Sequence, residues 1–422
     1  MFDSFMTTLT GPCMVSKGDA VLVCCSGGVD STVLLDLLVR AAGVLRLRIG
    51  VVHIDHGIRG AASRKDALFV SGHCTSLGLP CHVYELGMQA HAPNIEEQAR
   101  SKRYEAISKC MKDHGYSSAA TGHTMDDQAE TLVYRLIRGS GIRGLAGMDY
   151  RSSSLIRPLL TFTREQVEEY AGTHGIPHVE DGTNRDTALA RNLIRLEIIP
   201  VMKRINPTVV KSISRLSDIA REEGGLIEGL SAELEHGSCV FDWGIVRAYR
   251  MADLVEAPLA VLKRMMIGLI SEMTGEPRGI DALQIDGIVD VLFGRKAGHT
   301  VRRRVAVRSD GGCLVFSAAG ADPHYDIEVT GPGKYRIGPL NQVVKIAFSE
   351  NIDSPMRLKS PGSGERCAGR KIVKLLADRD IMKSLRPFWP VVVRDDGEIV
   401  SVAGIFDSEE RPGVKTEFPC HA

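Results

Sequence analysis

The sequence predicts an α/β protein: a mostly parallel sheet with helices on both faces, followed by two smaller appended regions. Three observations carry this. Strand-length apolar runs alternate with helix-period segments from Val21 to Ile199. The first apolar run, Val21–Cys25, leads through a glycine turn straight into an apolar helix. Beyond Asn206 the alternation gives way to helical segments, and beyond Tyr325 to short strand patterns with Gly and Pro turns. The expected domains are residues 1–205, residues 206–320 (a linker helix and a helical middle domain) and residues 321–422 (a small α+β C-terminal domain).

The elements follow in order. Val21–Cys25 is strand one and Ser31–Ala42 the first helix. Leu47–Ile54 and Ser63–Leu77 are the second strand and helix. Cys81–Leu86 is a third strand, and Ile95–His114 a long helix opened by Pro93-Asn94. Ser117–Thr121 is a short strand before the helix Met125–Arg138. Thr163 and Gln166 fit a capping box for a helix over Val167–Thr173. Leu189–Ile199 is helical, with Pro200 ending it. Asn206-Pro207 starts a linker helix over about Thr208–Glu235. Helices over Leu254–Met273 and Ile280–Leu292, strands over Thr300–Val307 and Cys313–Phe316, and a helix near Lys371–Asp378 complete the reading. The first part is thus Rossmann-like.

Composition excludes several classes. The chain has 422 residues, 44% apolar and 25% charged, with 52 basic and 52 acidic side chains. No apolar run approaches the ~20 residues of a membrane span, so no membrane partner is expected. The N-terminus lacks a basic stretch followed by a long apolar run, so no export signal is expected. Ten cysteines without any Cys-x-x-Cys argue against zinc ribbons and cysteine-held iron–sulfur clusters. A cytoplasmic, reducing location is the expectation. Zero net charge weighs slightly against nucleic acid, although local charge decides phosphate contacts.

Ser26-Gly27-Gly28-Val29-Asp30-Ser31 is the strongest motif. Two glycines let the backbone approach an anion, and the turn's N–H groups and the helix start point at it. The common nucleoside-triphosphate loop needs Lys then Ser or Thr after its last Gly; here Val29 follows Gly28. The motif instead resembles the pyrophosphate loop of the N-type ATP pyrophosphatases, which split ATP between its α and β phosphates.

Strand two ends in His53-Ile54-Asp55-His56-Gly57-Ile58-Arg59, at the carboxyl edge where ligands of open α/β sheets sit. These polar groups can bind the nucleotide, with Arg59 on phosphate; a transition-metal site and a plain surface turn are the alternatives. Arg100 and Arg103 share one face of the next helix. In Thr121–Met148, Asp126, Asp127 and Glu130 lie in the first turns of a helix. They are either capping and dipole partners or a set able to hold Mg²⁺ or an ammonium group. Gly139, Gly141, Gly144 and Gly147 suggest a mobile loop able to close on a substrate. Asp181–Asp186 precedes Arg191 and Arg195, four apart, which suit a carboxylate or phosphate or a structural salt bridge. Cys24 and Cys25 read as core rather than nucleophile.

Taken together, these blocks, with Arg157-Pro158-Leu159-Leu160 between the last two, occur in the order seen in tRNA(Ile)-lysidine synthetases. The resemblance is strong over about residues 18–200 and weaker over Leu254–Ser317. It resumes from Gly364-Glu365-Arg366 to Ala403-Gly404. It implies an N-type ATP pyrophosphatase domain and an enzyme that adenylates C2 of the wobble cytidine of tRNA(Ile) with a CAU anticodon. The ε-amine of free L-lysine then displaces AMP, giving lysidine. ATP and Mg²⁺ are the implied cofactors, and a homodimer is one expected assembly.

Carried onto this sequence, Ser26, Gly27, Gly28, Val29, Asp30 and Ser31, with His53, Asp55, His56 and Arg59, bind ATP. Asp30 also serves as the Mg²⁺ ligand or takes a proton from the incoming amine. Asp127 and Glu130 match positions implicated in holding lysine, and Arg195 or Arg191 suits its α-carboxylate. Asp30, Asp127, Glu130 and Arg195 form the expected catalytic set. The expected tRNA contacts are Arg100, Arg103, Arg302, Arg303, Arg304, Arg366, Arg370, Lys371 and Lys374. Between Ser354 and Arg394 ten Lys/Arg face three Asp/Glu, a local excess of seven. The rival readings are another enzyme of the same loop type, such as a tRNA thiolase or an amide synthetase, and a non-catalytic nucleotide- or RNA-binding protein.

Overall fold

The computed structural model describes residues 1–55, 61–87, 95–179, 190–276, 280–318, 324–350, 355–408 and 413–418. The chain divides into two units, Met1–Gly224 and Gly225–Ala422.

The first unit opens with a helix the sequence reading did not assign, α1 (Phe2–Thr10), which buries Phe5 and Leu9 completely. The predicted alternation then appears as β1 (Ala20–Cys24), α2 (Val29–Leu45), β2 (Arg48–Asp55), α3 (Ala61–Ser76), β3 (Cys81–Glu85), α4 (Ile95–His114), β4 (Ser118–Thr121) and α5 (Met125–Ile137). A one-turn helix α6 (Ile142–Leu145) and a short hairpin, β5 (Arg151–Ser152) and β6 (Leu155–Ile156), lead to α7 (Arg164–His174).

The strands form one sheet in the order β3-β2-β1-β4-β6-β5. All its pairs are parallel except β5 with β6. Strand β1 is central and buries Val21, Leu22 and Val23 fully, as a strand covered on both faces must. Helix α2 buries Leu34, Leu35, Leu37 and Leu38, each contributing roughly 1.5–3 kcal/mol. The chain runs outward from β1 to β3 and then returns to β4 on the other side. The switch point between β1 and β4 is therefore a crevice at the strands' carboxyl ends.

After α7 come α8 (Ala190–Leu193), a π-helical turn over Ile194–Ile198, α9 (Ile199–Ile205) and α10 (Val209–Ser238). One expectation needs correction here. Pro200 does not end the helix; the chain stays helical to Ile205. A proline inside a helix donates no N–H and crowds the carbonyl four residues back, and the wider π turn just before it relieves that crowding. The N-cap expected before the linker helix is present, with Thr208 N–H donating to Asn206 Oδ1 at 3.0 Å.

The second unit is richer in strands than the helical patterns of residues 206–320 suggested. β7 (Cys239–Asp242) and β8 (Val246–Arg250) precede α11 (Met251–Glu256), α12 (Leu259–Thr274) and α13 (Ala282–Leu292). They join β9 (Gly298–Val301), β10 (Val305–Asp310) and β11 (Cys313–Ala318) in a five-stranded antiparallel sheet, order β7-β8-β11-β10-β9. Met265, Leu269, Ile288 and Leu292 of the helices share a core with Tyr249, Val307 and Phe316 of the strands. The predicted single strand Thr300–Val307 is broken by a turn in which Arg302 and Arg303 both take positive φ. Further on, a five-stranded and a three-stranded sheet enclose Trp243, Trp389 and Phe418, whose ring centroids lie 5.4–5.7 Å apart. Among the described residues no helix is long and apolar enough to cross a membrane.

Candidate active site

A cleft of about 1070 Å³ opens at the carboxyl ends of β1, β2 and β4. Its floor is the glycine turn. Gly27 has φ +94°, a conformation that only glycine adopts without strain. Its carbonyl accepts from Val179 N–H at 2.9 Å, which ties the loop to the segment after α7. Ser31 Oγ accepts from Ser26 N–H at 3.2 Å and donates to Gly28 O at 2.8 Å, folding the loop over the start of α2. Gly28 is the N-cap of α2 and carries no side chain, so the first helical N–H groups are left for an anion.

Gly122, just after β4, lies against this loop. A Cβ there would sit 3.0 Å from the carbonyl carbon and oxygen of Asp30. The close approach of the β4 exit to the first turn of α2 therefore favours glycine at this position.

Asp30 and its neighbours set the charge. Arg164 NH1 stands 3.7 Å from Asp30 Oδ2, while Asp30 Oδ1 is buried with no hydrogen-bond partner among the described residues. Burial pushes the Asp30 carboxyl up to about 6; Arg164 pulls it down and Asp127 pushes it further up. An orphaned carboxylate oxygen next to a phosphate cradle has the chemistry to ligate Mg²⁺. His53 is buried, and its Nδ1–H donates to Cys25 O at 2.9 Å.

The three carboxylates of α5 divide their tasks. Asp126 Oδ2 accepts from Arg164 N–H at 2.8 Å, and its Oδ1 lies 3.7 Å from Lys203 Nζ, so it joins α5 to α7 and α9. Asp127 Oδ2 closes the capping box of α5, accepting from Thr124 N–H at 2.8 Å, and the side chain also lines the cleft. Glu130 is 7% exposed, and its Oε1 lies 3.8 Å from Arg195 Nε. Burial and the nearby Asp127 push the Glu130 carboxyl up to about 8, against the pull of Arg191. Arg191 donates to Thr131 Oγ1 at 3.3 Å, one residue from Glu130.

The cleft thus gathers Ser26, Gly28, Val29, Asp30, Ser31, His53, Asp55, Asp127 and Arg195 along its lining, with Arg103 beside them. Glu130 lies behind Arg195. His56, Arg59 and Asp181–Asp186 fall outside the described residues. Arg100 is exposed, its guanidinium 5.4 Å from the Tyr104 ring centroid.

The expected mobile glycine loop is instead pinned along Gly144–Met148. Arg135 donates to Gly144 O and Gly147 O, both at 2.8 Å. Gln128 donates to Met148 O and accepts from Met148 N–H, and Arg221 donates to Ala146 O. Gly147 has positive φ, and a Cβ there would strike Gln128 at 2.6 Å. These glycines serve close packing.

Cleft residues that sequence reasoning missed include Gly122, His123, Arg164 and Glu168. Gly122 and His123 were detectable, since they follow a strand at the carboxyl edge. The His123 imidazole is pushed down to about 4, by burial first and then by Arg157, Arg191 and Arg100, against the pull of Asp127. Arg164 was hidden inside the helix-start motif Thr163–Gln166, a capping box that the structure forms.

In the second unit the predicted basic residues are not equivalent. Arg302 and Arg304 both donate to Glu276, at 2.5 and 2.7 Å, whereas Arg303 points outward at the tip of the turn. Arg366 donates to Gly369 O, Arg370 pairs with Asp378, and Lys371 and Lys374 are exposed.

The family model described as a PP-loop domain matches residues 3–202. A tRNA(Ile)-lysidine synthase of Thermotoga sp. strain RQ2 is 40% identical over 94% of this chain and 94% of its own. One from Symbiobacterium thermophilum is 36% identical, over 96% and 93%. One from Clostridioides difficile strain 630 is 32% identical, over 82% and 77%. The chain belongs to the tRNA(Ile)-lysidine synthase family. It is an ATP-using enzyme, and the cleft lies within the residues that the PP-loop family model matches. Burial pushes the Cys24 thiol up to about 12 and raises that of Cys25, which disfavours the thiolate form at both.

Proposed function

We propose that this chain ligates L-lysine to C2 of the wobble cytidine of tRNA(Ile) with a CAU anticodon. ATP is consumed and AMP and pyrophosphate are released. The observation that carries the proposal is one cleft whose lining holds two stations: an anion cradle at Ser26–Ser31, and Asp127 with Arg195, against which Glu130 and Arg191 sit. A phosphate chain suits the first, and an amino acid with an ammonium and a carboxylate suits the second.

The loop N–H groups hold the departing pyrophosphate, where developing charge is greatest. The cytidine C2 oxygen bonds to the α-phosphorus as the bond to the β-phosphate breaks. The lysine ε-nitrogen then bonds to C2 and AMP leaves. The ammonium must first lose a proton, and Asp30, Asp127 and Glu130 are the carboxylates within the site to accept it. Arg195 and Arg191 hold the lysine α-carboxylate. Mg²⁺ held by Asp30 would neutralise phosphate charge.

The tRNA is gripped by phosphate contacts from Arg100, Arg103, Arg303, Arg366, Lys371 and Lys374, with Arg302, Arg304 and Arg370 supporting them through their acidic partners. Residues 1–205, 206–320 and 321–422 act as catalytic, middle and tRNA-binding domains. The enzyme works in the cytoplasm as a homodimer. The test is AMP release from ATP and Mg²⁺ with lysine and unmodified tRNA(Ile) transcript, each omitted in turn. Release that needs both lysine and tRNA supports the proposal. Release that needs tRNA but not lysine moves the function to another tRNA modification.

A further inference from the structure

We infer that His82, Cys110 and His114 form a site for one soft or borderline transition-metal ion of the Zn²⁺ class, away from the ATP cleft. One ligand atom from each side chain lies within 4.8 Å of the others. Cys110 and His114 are four apart on α4, so one helix face presents both. His82 faces them from β3, the edge strand of the sheet. None of the three lines the cleft.

The donor chemistry selects the ion. Two imidazoles and a thiol suit Zn²⁺, Co²⁺ or copper and disfavour Mg²⁺ or Ca²⁺, which take oxygen. Three protein ligands leave a position for water. The His82 and His114 rings stack with centroids 3.9 Å apart and planes 25° apart, so the two are already gathered on one spot. Tyr116 Oη lies 3.3 Å from His82 Nε2 and steers that ring from the other side. Cys110 is fully buried and His114 exposed, which gives the ion a path from solvent to the thiol. A bound ion would clip the sheet edge to the end of α4.

The experiment uses the full chain, stripped with a chelator and titrated with Co²⁺ and then Zn²⁺. The expected result is one equivalent of Co²⁺ with a thiolate-to-cobalt charge-transfer band in the near ultraviolet, bleached by Zn²⁺. Cys110→Ser should abolish that band. His114→Ala, at an exposed position that does not endanger folding, should weaken Co²⁺ binding by at least about tenfold. A band that survives in both variants, or no binding by the wild-type chain, overturns the inference.

Discussion

Arg195 Nε stands 3.8 Å from Glu130 Oε1, two side chains from different helices, and of the two Arg195 lines the cleft. At that distance no direct hydrogen bond joins them, and burial holds the Glu130 carboxyl up to about 8, so it is largely protonated at neutral pH. The pair is therefore loosely bound and open to exchange with a zwitterion that offers each partner a better match. Glu130→Gln keeps the shape and removes the charge that Glu130 takes on when it ionises to meet an ammonium. The expected outcome is a KM for lysine raised about 10- to 100-fold with ATP affinity nearly unchanged. An unaltered lysine dependence would remove Glu130 from the lysine site.

The same carboxyl makes stability depend on pH. Its folded value is raised above the ordinary 4.5, so its contribution is full below about 4.5 and is lost as pH rises through about 8. Glu130→Gln should flatten that loss, gaining on the order of a few kcal/mol over wild type near pH 8. Thermal melting of both proteins across this range gives the comparison; parallel curves would contradict it.

Lysine binding should carry a proton signature. A protonated Glu130 cannot pair with an ammonium, so binding must release its proton. Lysine affinity is expected to rise with pH up to about 8, where the carboxyl ionises unaided. Calorimetry in buffers of different ionisation enthalpy measures the proton count. Affinity that falls over this range would contradict the assignment.

Gly122 touches the backbone of Asp30, and a methyl group there would sit 3.0 Å from it. Gly122→Ala should shift the loop and the start of α2, costing about 1–3 kcal/mol of stability and lowering ATP affinity about tenfold. Nucleotide titration checks this. Unchanged ATP affinity would mean that the loop tolerates displacement.

In the turn between β9 and β10, Arg303 and Arg302 should separate binding from folding. Arg303→Ala is expected to weaken tRNA binding and reduce its salt slope by about one unit without altering stability. Arg302→Ala breaks a contact to Glu276 and should lower the melting temperature instead. Filter binding at several salt concentrations, with melting curves, resolves the two; equal effects would refute the distinction.

The doubly wound core was legible because burial on both faces writes continuous apolar runs into β1 and β2. The capping box at Thr163 and the N-cap at Asn206 were legible because their chemistry is local. The π turn over Ile194–Ile198 was not, since it arises from how Pro200 is accommodated within a longer helix. Strands β7 and β8 were missed because both are short and β8's second partner, β11, lies far along the chain. At the site, Asp30 and Glu130 were visible as types, and capping was one reading of the α5 carboxylates, which Asp127 fulfils locally; the bracing duty of Asp126 and the approach of Arg164 depend on separate helices meeting. Glycines after Arg138 suggested motion, yet Gly147 is there to admit Gln128.

The most direct test of the central claim is the product itself. Unmodified tRNA(Ile) with a CAU anticodon is incubated with the enzyme, ATP, Mg²⁺ and [¹⁴C]lysine, and the digested nucleosides are analysed by mass spectrometry. Lysine joined to the base at the wobble cytidine, absent when ATP is omitted and from the Asp30→Asn enzyme, is the predicted result. AMP release in the presence of tRNA with no lysine joined to the nucleoside would contradict it.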